Sequence, residues 1–277
     1  MTEGRIDRPV LITGASGFVG HYVVRALLDA GYGAEQLVAL VRDEGEAVAG
    51  VGQIAAVDIT NEAQVDALIK RVSPRALIHL AAIAAPAEAE IDPELAWAVN
   101  VDGTRNLATA MQSHVSDGRF IFAGSSEAYG ESFNQIEEPV SEAAPLQPMS
   151  IYAETKAAAD TLLGEMREDE LEIIRFRAFN HTGSGQSDAY VVPAFARQVT
   201  RIEAGLQEPV ISVGNLDAER DFLDVRQVAH IYARALDIPY GASGDHVYNL
   251  ASGETRSIKS ILDWFVDRAR IKVDIVT

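Results

Sequence analysis

Tyr152 and Lys156 stand four residues apart in an alanine-rich segment, so a helix there presents both on one face. A phenol with an ordinary pKa of about 10 is a poor proton donor at neutral pH. An ammonium about 4 Å away favours the phenolate by roughly 4 kcal/mol at an effective dielectric of about 20, an upper-bound shift of about three units. A tyrosine so tuned exchanges protons with a carbonyl or carbinol near pH 7. Ser125 lies in Gly124-Ser125-Ser126-Glu127-Ala128-Tyr129-Gly130, directly after an apolar run. A hydroxyl there can hold the oxygen that Tyr152 protonates; an ordinary polar turn uses the same residues. Glu127 adds a carboxylate two residues further on.

A second constellation is Thr13-Gly14-Ala15-Ser16-Gly17-Phe18-Val19-Gly20. It follows a β-branched run and precedes a helical pattern, the context in which a glycine loop binds a dinucleotide. Gly14 permits the tight turn, Gly17 the approach of a pyrophosphate, and Gly20 close helix–strand packing. The phosphates would sit on the helix N-terminus, where unpaired N–H groups favour an anion. At the end of the second strand stand Arg42 and Asp43. An arginine there suits a ribose 2′-phosphate and an acid suits ribose hydroxyls, so NADPH is favoured with NADH open. A solvated Arg42–Asp43 pair is the alternative. Asp58-Ile59 can meet the adenine or form a turn and helix cap. His79 ends an apolar run, where a packed, hydrogen-bonded histidine is the plain reading.

These residues need a scaffold, and the pattern supplies one. Strands are expected at Val10 to Thr13, Leu37 to Val41, Gln53 to Val57, Ala76 to Leu80, Phe120 to Ala123 and Glu172 to Arg177. Helices are expected at Val19 to Ala30, Asn61 to Arg71, from Asp92 (cap) and Pro93 to about Ser113, and at Tyr152 to Met166. Such alternation predicts an α/β doubly wound parallel Rossmann sheet with right-handed crossovers. After Asn180 the rhythm changes. Val191 to Ala204 and Asp224 to Leu236 read as helices, and Val210 to Val213 and His246 to Leu250 as strands. The expected organisation is a cofactor domain over 1–178, with later segments returning to it, and a smaller C-terminal substrate lobe over 179–277.

Composition bounds the chemistry. The 277 residues carry a net charge of −18, which repels nucleic acid and anionic membrane. There are no cysteines, so thiolate catalysis, disulfides and cysteine-held zinc are excluded. The six histidines lack metal-ligand spacing, and no metal site is expected. The charged start MTEGRIDR reads as no signal peptide, and no run approaches the ~20 apolar residues of a bilayer span. A cytoplasmic protein is expected.

Taken together, the glycine loop, the serine after the fifth strand and Tyr152-x-x-x-Lys156 resemble the extended short-chain dehydrogenase/reductase family across essentially the whole chain. Three segments resemble its GDP-mannose branch: Gly124 to Gly130, Phe179-Asn180-His181-Thr182-Gly183-Ser184-Gly185-Gln186, and Arg220-Asp221-Phe222-Leu223-Asp224-Val225. The stretch Val210 to Asp224 is similar to the 4-keto reductases of that branch. The resemblance implies reduction of GDP-4-keto-6-deoxy-D-mannose to GDP-D-rhamnose. It gives catalytic roles to Ser125, Tyr152 and Lys156, and cofactor contacts to Gly14, Ser16, Gly17, Phe18, Val19, Gly20, Arg42, Asp58, Ile59, Leu80, Ala81 and Ala82. Sugar-nucleotide contacts fall to Ser126, Asn180, Val191 and Arg220. Asn180 closing a turn and Arg220 paired with Asp221 or Asp224 are the plainer readings.

The dehydratases of the branch carry a glutamate where Glu127 stands, so a GDP-mannose 4,6-dehydratase or a related epimerase is the alternative. A non-catalytic NAD(P)-binding regulator is the remote one. Two departures stand out. The family's Arg-Pro-x-Asn is here Arg177-Ala178-Phe179-Asn180, and relatives run some tens of residues beyond Thr277. A homodimer is implied through Asp92 to Ser113 and Tyr152 to Met166, whose Ala108, Ala110, Ala157 and Ala158 allow close approach or simply pack within the chain.

Overall fold

The computed structural model describes residues 8–137, 139–166, 171–239 and 246–276; the charged start 1–7 and Thr277 lie outside them. In chain order the strands are β1 (Val10–Thr13), β2 (Leu37–Val41), β3 (Gln53–Ala56), β4 (Ala76–His79), β5 (Gly118–Ser125), β6 (Leu171–Ala178), β7 (Asn180–Thr182), β8 (Val210–Ser212), β9 (Glu219–Asp224), β10 (Val247–Leu250), β11 (Thr255–Ser257) and β12 (Asp274–Val276). The helices are α1 (Phe18–Asp29), α2 (Glu62–Val72), α3 (Pro86–Ile91), α4 (Pro93–Trp97), α5 (Gly103–His114), α6 (Ser132–Gln135), α7 (Ile151–Glu165), α8 (Val191–Glu203), α9 (Val225–Ala235) and α10 (Ile258–Val266).

Two compact units emerge, one of residues 1–178 and 226–250, the other of 179–225 and 251–277. The first is built on a seven-stranded sheet of order β10-β6-β5-β4-β1-β2-β3. All its pairings are parallel. β1 and β2 are buried along their whole length and apolar but for Thr13 at the end of β1, as parallel strands covered on both faces must be. The chain winds outward through β2 and β3, then restarts on the other flank with β4. β1 and β4 thus bracket the switch point where a doubly wound sheet binds its ligand. This is the expected Rossmann sheet.

Helix ends follow local chemistry. The Asn61 side chain accepts from Gln64 N–H and caps α2; Ser150 does the same for α7 through Ala153 N–H. Asp92 caps α4 through Leu95 N–H, with Pro93 at the first helical position, as its sequence predicts. One expectation needs correction. The single helix from Pro93 to about Ser113 is interrupted at Ala98–Asp102 by a π turn, and α3 precedes it. Of the alanines proposed for a dimer face, Ala108 and Ala110 lie in the core beside the sheet, Ala157 is buried and Ala158 is half-buried.

The second unit has its own core, formed by Phe195, Val199, Ile202, Ile211, Ile258 and Leu262. Around it lie a three-stranded sheet, β11-β9-β7, and the pair β12-β8. β7, β9, β11 and α10 were not foreseen from the sequence pattern. Among the described residues no helix is long and apolar enough to cross a membrane.

Candidate active site

The glycine loop leaves β1 at Thr13. Gly14 has φ +66°, and a Cβ there would lie 2.8 Å from Ala81 N, so the β4 end abuts the loop backbone. A Cβ on Gly20 would fall 2.2 Å from the Gly14 carbonyl oxygen, so only glycine lets the first turn of α1 press against the loop. Gly17 precedes α1, and no side chain caps that helix. A helix N-terminus that follows a glycine loop and carries no side-chain cap fits a dinucleotide pyrophosphate. Beside it Phe18 meets Tyr22 edge-on at 5.7 Å, and Val19 is half-buried. The Ser16 hydroxyl donates to Glu46 Oε2 at 2.5 Å.

On the adenosine side, Arg42 is exposed and its Nε donates to Asp43 Oδ2 at 3.0 Å. Asp58 uses one carboxylate oxygen for the N–H and hydroxyl of Thr60, forming a turn after β3. The Ile59 side chain is buried against Gly103, which leaves only its backbone for a ligand. Its carbonyl already accepts from Asn106 Nδ2 at 3.0 Å.

At the β4 end, Leu80 and Ala81 N–H both donate to Thr13 Oγ1 at 3.1 Å, and Ala82 follows half-buried. Thr13 in turn lies 2.7 Å from His79 Nδ1, and His79 Nε2 lies 2.9 Å from Thr104 Oγ1. Thr104 donates its own hydroxyl to the Asn100 carbonyl at 2.7 Å. Its oxygen must then accept, which puts the His79 proton on Nε2 and makes Thr13 the donor to Nδ1. Burial, assisted by the nearby Lys156 charge, pushes the His79 pKa down to about 3. This histidine is a neutral, fully bonded strut, as its packed reading anticipates.

The network continues through a residue that spacing alone does not reveal. Asn100, in the π turn, accepts from Ile83 N–H, donates to the Ile83 carbonyl and donates to Thr155 Oγ1 at 2.9 Å. Thr155 sits on α7 between Tyr152 and Lys156, and its hydroxyl donates to the Tyr152 carbonyl. The glycine loop and the Tyr152–Lys156 helix are thereby joined through buried hydrogen bonds. The signal available beforehand was a polar residue inside an amphipathic helix pattern.

Lys156 is buried. Its Nζ donates to the Ala123 carbonyl of β5 at 2.7 Å and lies 5.0 Å from the Phe122 ring centre. Burial lowers its pKa to about 8. Ser125 ends β5, and its Oγ accepts from Glu127 N–H at 3.2 Å, which leaves the hydroxyl hydrogen to donate outward. Ser126 is buried and Glu127 exposed on the following 3-10 turn, while Tyr152 is half-buried on the first turn of α7. Thr13, His79 and Ser125 end β1, β4 and β5, so the cradle and the catalytic candidates share the carboxyl edge of one sheet.

The remaining candidates lie in the second unit. Asn180 opens β7 opposite Phe222 of β9 and is exposed, so it occupies a strand rather than closing a turn. Val191 starts α8. Arg220, exposed on β9, donates to the Glu219 carbonyl at 2.7 Å. Its neighbour Asp221 is buried and accepts from Ser252 and Gly253 N–H, fixing that loop. Among the described residues no group of three or more His, Asp or Glu side chains is placed to hold a metal.

A glycine cradle at the switch point of a parallel sheet defines a Rossmann-fold nucleotide-binding protein. More narrowly, residues 10–251 match the NAD dependent epimerase/dehydratase family, and the chain belongs to it. It is 35% identical over 204 residues to GDP-6-deoxy-D-mannose reductase of Pseudomonas aeruginosa, covering 73% of this chain and 66% of the relative. The structure of RMD from Pseudomonas aeruginosa complexed with NADPH is similar at TM-score 0.80 and 31% identity, over 97% of this chain and 84% of that one. The Thermus thermophilus UDP-glucose 4-epimerase complex with NAD is similar at TM-score 0.79 and 27% identity, over 97% and 85%. The cofactor class is NAD(P).

Proposed function

We propose that the chain is a nucleotide-sugar 4-keto reductase that converts GDP-4-keto-6-deoxy-D-mannose to GDP-D-rhamnose with NADPH. The observation that carries this reading is Ser125, Tyr152 and Lys156 at the sheet edge that also holds the glycine cradle, in a chain similar to a GDP-6-deoxy-D-mannose reductase. Gly14, Gly17 and the N-terminus of α1 would hold the pyrophosphate, and the backbone at Leu80 to Ala82 would flank the nicotinamide side. When bound, the nicotinamide supplies a hydride. The Ser125 hydroxyl donates to the sugar oxygen and orients it, and the Tyr152 phenol gives that oxygen its proton. Lys156, held by the Ala123 carbonyl, favours the resulting phenolate by its charge. Asn180, Val191 and Arg220 are proposed to meet the sugar nucleotide, with Arg220 suited to a diphosphate. A homodimer in the cytoplasm completes the reading.

Purified protein given GDP-4-keto-6-deoxymannose and NADPH should consume the cofactor stoichiometrically, followed at its absorbance. Conversion of GDP-mannose with no net cofactor consumption would overturn the reductase. The exposed Glu127 favours that second reading, a 4,6-dehydratase in which its carboxylate carries the proton between C5 and the departing C6 hydroxyl.

A further inference from the structure

The segment after β2 folds back on the glycine loop. Gly45, at φ +99°, permits the reversal; Glu46 N–H meets the Asp43 carbonyl at 3.4 Å, and buried Val48 anchors the chain just beyond the turn. The reversal lays the Glu46 carboxylate between two segments of the cofactor cradle. Oε2 accepts the Ser16 hydroxyl at 2.5 Å, and Oε1 accepts the N–H groups of Arg42 at 3.2 Å and Asp43 at 3.0 Å. These bonds, that of Ser16 foremost, hold the carboxyl below its ordinary range. Two backbone N–H groups, one hydroxyl and the adjacent Arg42 guanidinium form a donor set for an anion, and a side chain of the chain itself fills it.

The end of β2 is where a Rossmann sheet receives the adenosine ribose. A ribose 2′-phosphate needs the same donors and carries the same sign of charge as the carboxylate. It must displace Glu46 or suffer its repulsion. A ribose 2′-hydroxyl faces no such conflict and can donate to the carboxylate. We infer that Glu46 is a specificity-determining residue: an internal anion that occupies the 2′-phosphate donors and lowers the affinity for NADPH relative to NADH. It opposes Arg42, whose charge favours the phosphate.

The test uses the cofactors alone, without sugar, so it is independent of which nucleotide sugar is the substrate. Dissociation constants of NADPH and NADH are measured by fluorescence titration for the wild type and Glu46→Gln. Glutamine keeps the size and the acceptor but removes the charge. A like-charge contact near 4 Å in a solvent-rich site predicts that the variant binds NADPH about fivefold more tightly, with NADH unchanged or weaker. A NADPH-to-NADH affinity ratio unchanged within twofold, or moved toward NADH, overturns the assignment. A wild type that binds neither dinucleotide overturns it together with the cofactor class, whereas failure to reduce the keto sugar leaves it standing. The position is a half-exposed loop residue, and a melting temperature equal to the wild type's in the absence of cofactor verifies that the change is local.

Discussion

At the scale of single residues, the proposed proton chemistry turns on a buried lysine. Lys156 is charged below about pH 8 and loses its proton above it, because burial disfavours the ammonium. In the proposed reductase its charge is the feature that would assist proton transfer by Tyr152, so kcat/KM for keto-sugar reduction should fall along an alkaline limb near pH 8. A Lys156→Arg variant keeps a cation at every accessible pH, since guanidinium titrates above about 12. Its profile should be low but flat through pH 9. An alkaline limb that stays near 8 in the variant would show that another group is titrating. The lysine and tyrosine were legible because i,i+4 spacing and residue type suffice to define them. Glu46 was not, because nothing in its neighbourhood in sequence signals that a turn at Gly45 returns its carboxylate to Ser16, thirty residues upstream.

At the scale of elements, α7 is held by an ion cluster on its buried face. Asp160 Oδ1 accepts from Arg175 Nη1 at 2.6 Å and from Arg177 Nη2 at 2.9 Å, and Oδ2 from Arg177 Nε at 3.1 Å. All three side chains are buried. Arg177 extends the cluster through the Tyr129 hydroxyl, which donates to Asn249 Oδ1 of β10. One carboxylate thus joins α7, β6, the turn after β5 and β10. Asp160→Asn leaves two guanidinium groups buried against a neutral partner, and its expected cost is about 3–5 kcal/mol in denaturant unfolding. A loss below about 1 kcal/mol would mean that the arginines reach solvent without it. The sequence pattern located β1 to β6, which alternate with helical segments and, β3 apart, are almost wholly buried and mainly apolar. It ran α4 and α5 together because the π turn at Ala98–Asp102 is set by what Asn100 meets, namely Ile83 and Thr155. It missed β7, β9 and β11 for the same kind of reason. Strands of three to six residues with few fully buried side chains are defined by their partners rather than by periodicity.

At the scale of the whole molecule, acid and base respond in opposite senses. The net charge of −18 produces self-repulsion near neutrality, which carboxylate protonation relieves as pH falls. His79 works against that relief. Its ordinary pKa of 6.5 applies in the unfolded chain, and about 3 in the folded one, where Thr13 and Thr104 hold the neutral ring. Between those values the unfolded state binds the extra proton, so stability is lost as pH falls from about 6.5 toward 3. His181, also held low by burial, adds a contribution of the same sign in the second unit. Linkage over the stretch from pH 6.5 to 5 gives His79 a share of about 2 kcal/mol. His79→Gln keeps a neutral side chain with a donor and an acceptor for the two threonines. The variant should be less stable than the wild type at pH 7.5, and the gap should narrow by about that amount at pH 5. Urea midpoints at the two pH values measure it. A gap that stays constant would place the acid sensitivity elsewhere, and a gap that widens would mean that the ring is protonated in the folded chain, with the Thr13–His79–Thr104 bonds arranged around a cation instead of a neutral imidazole.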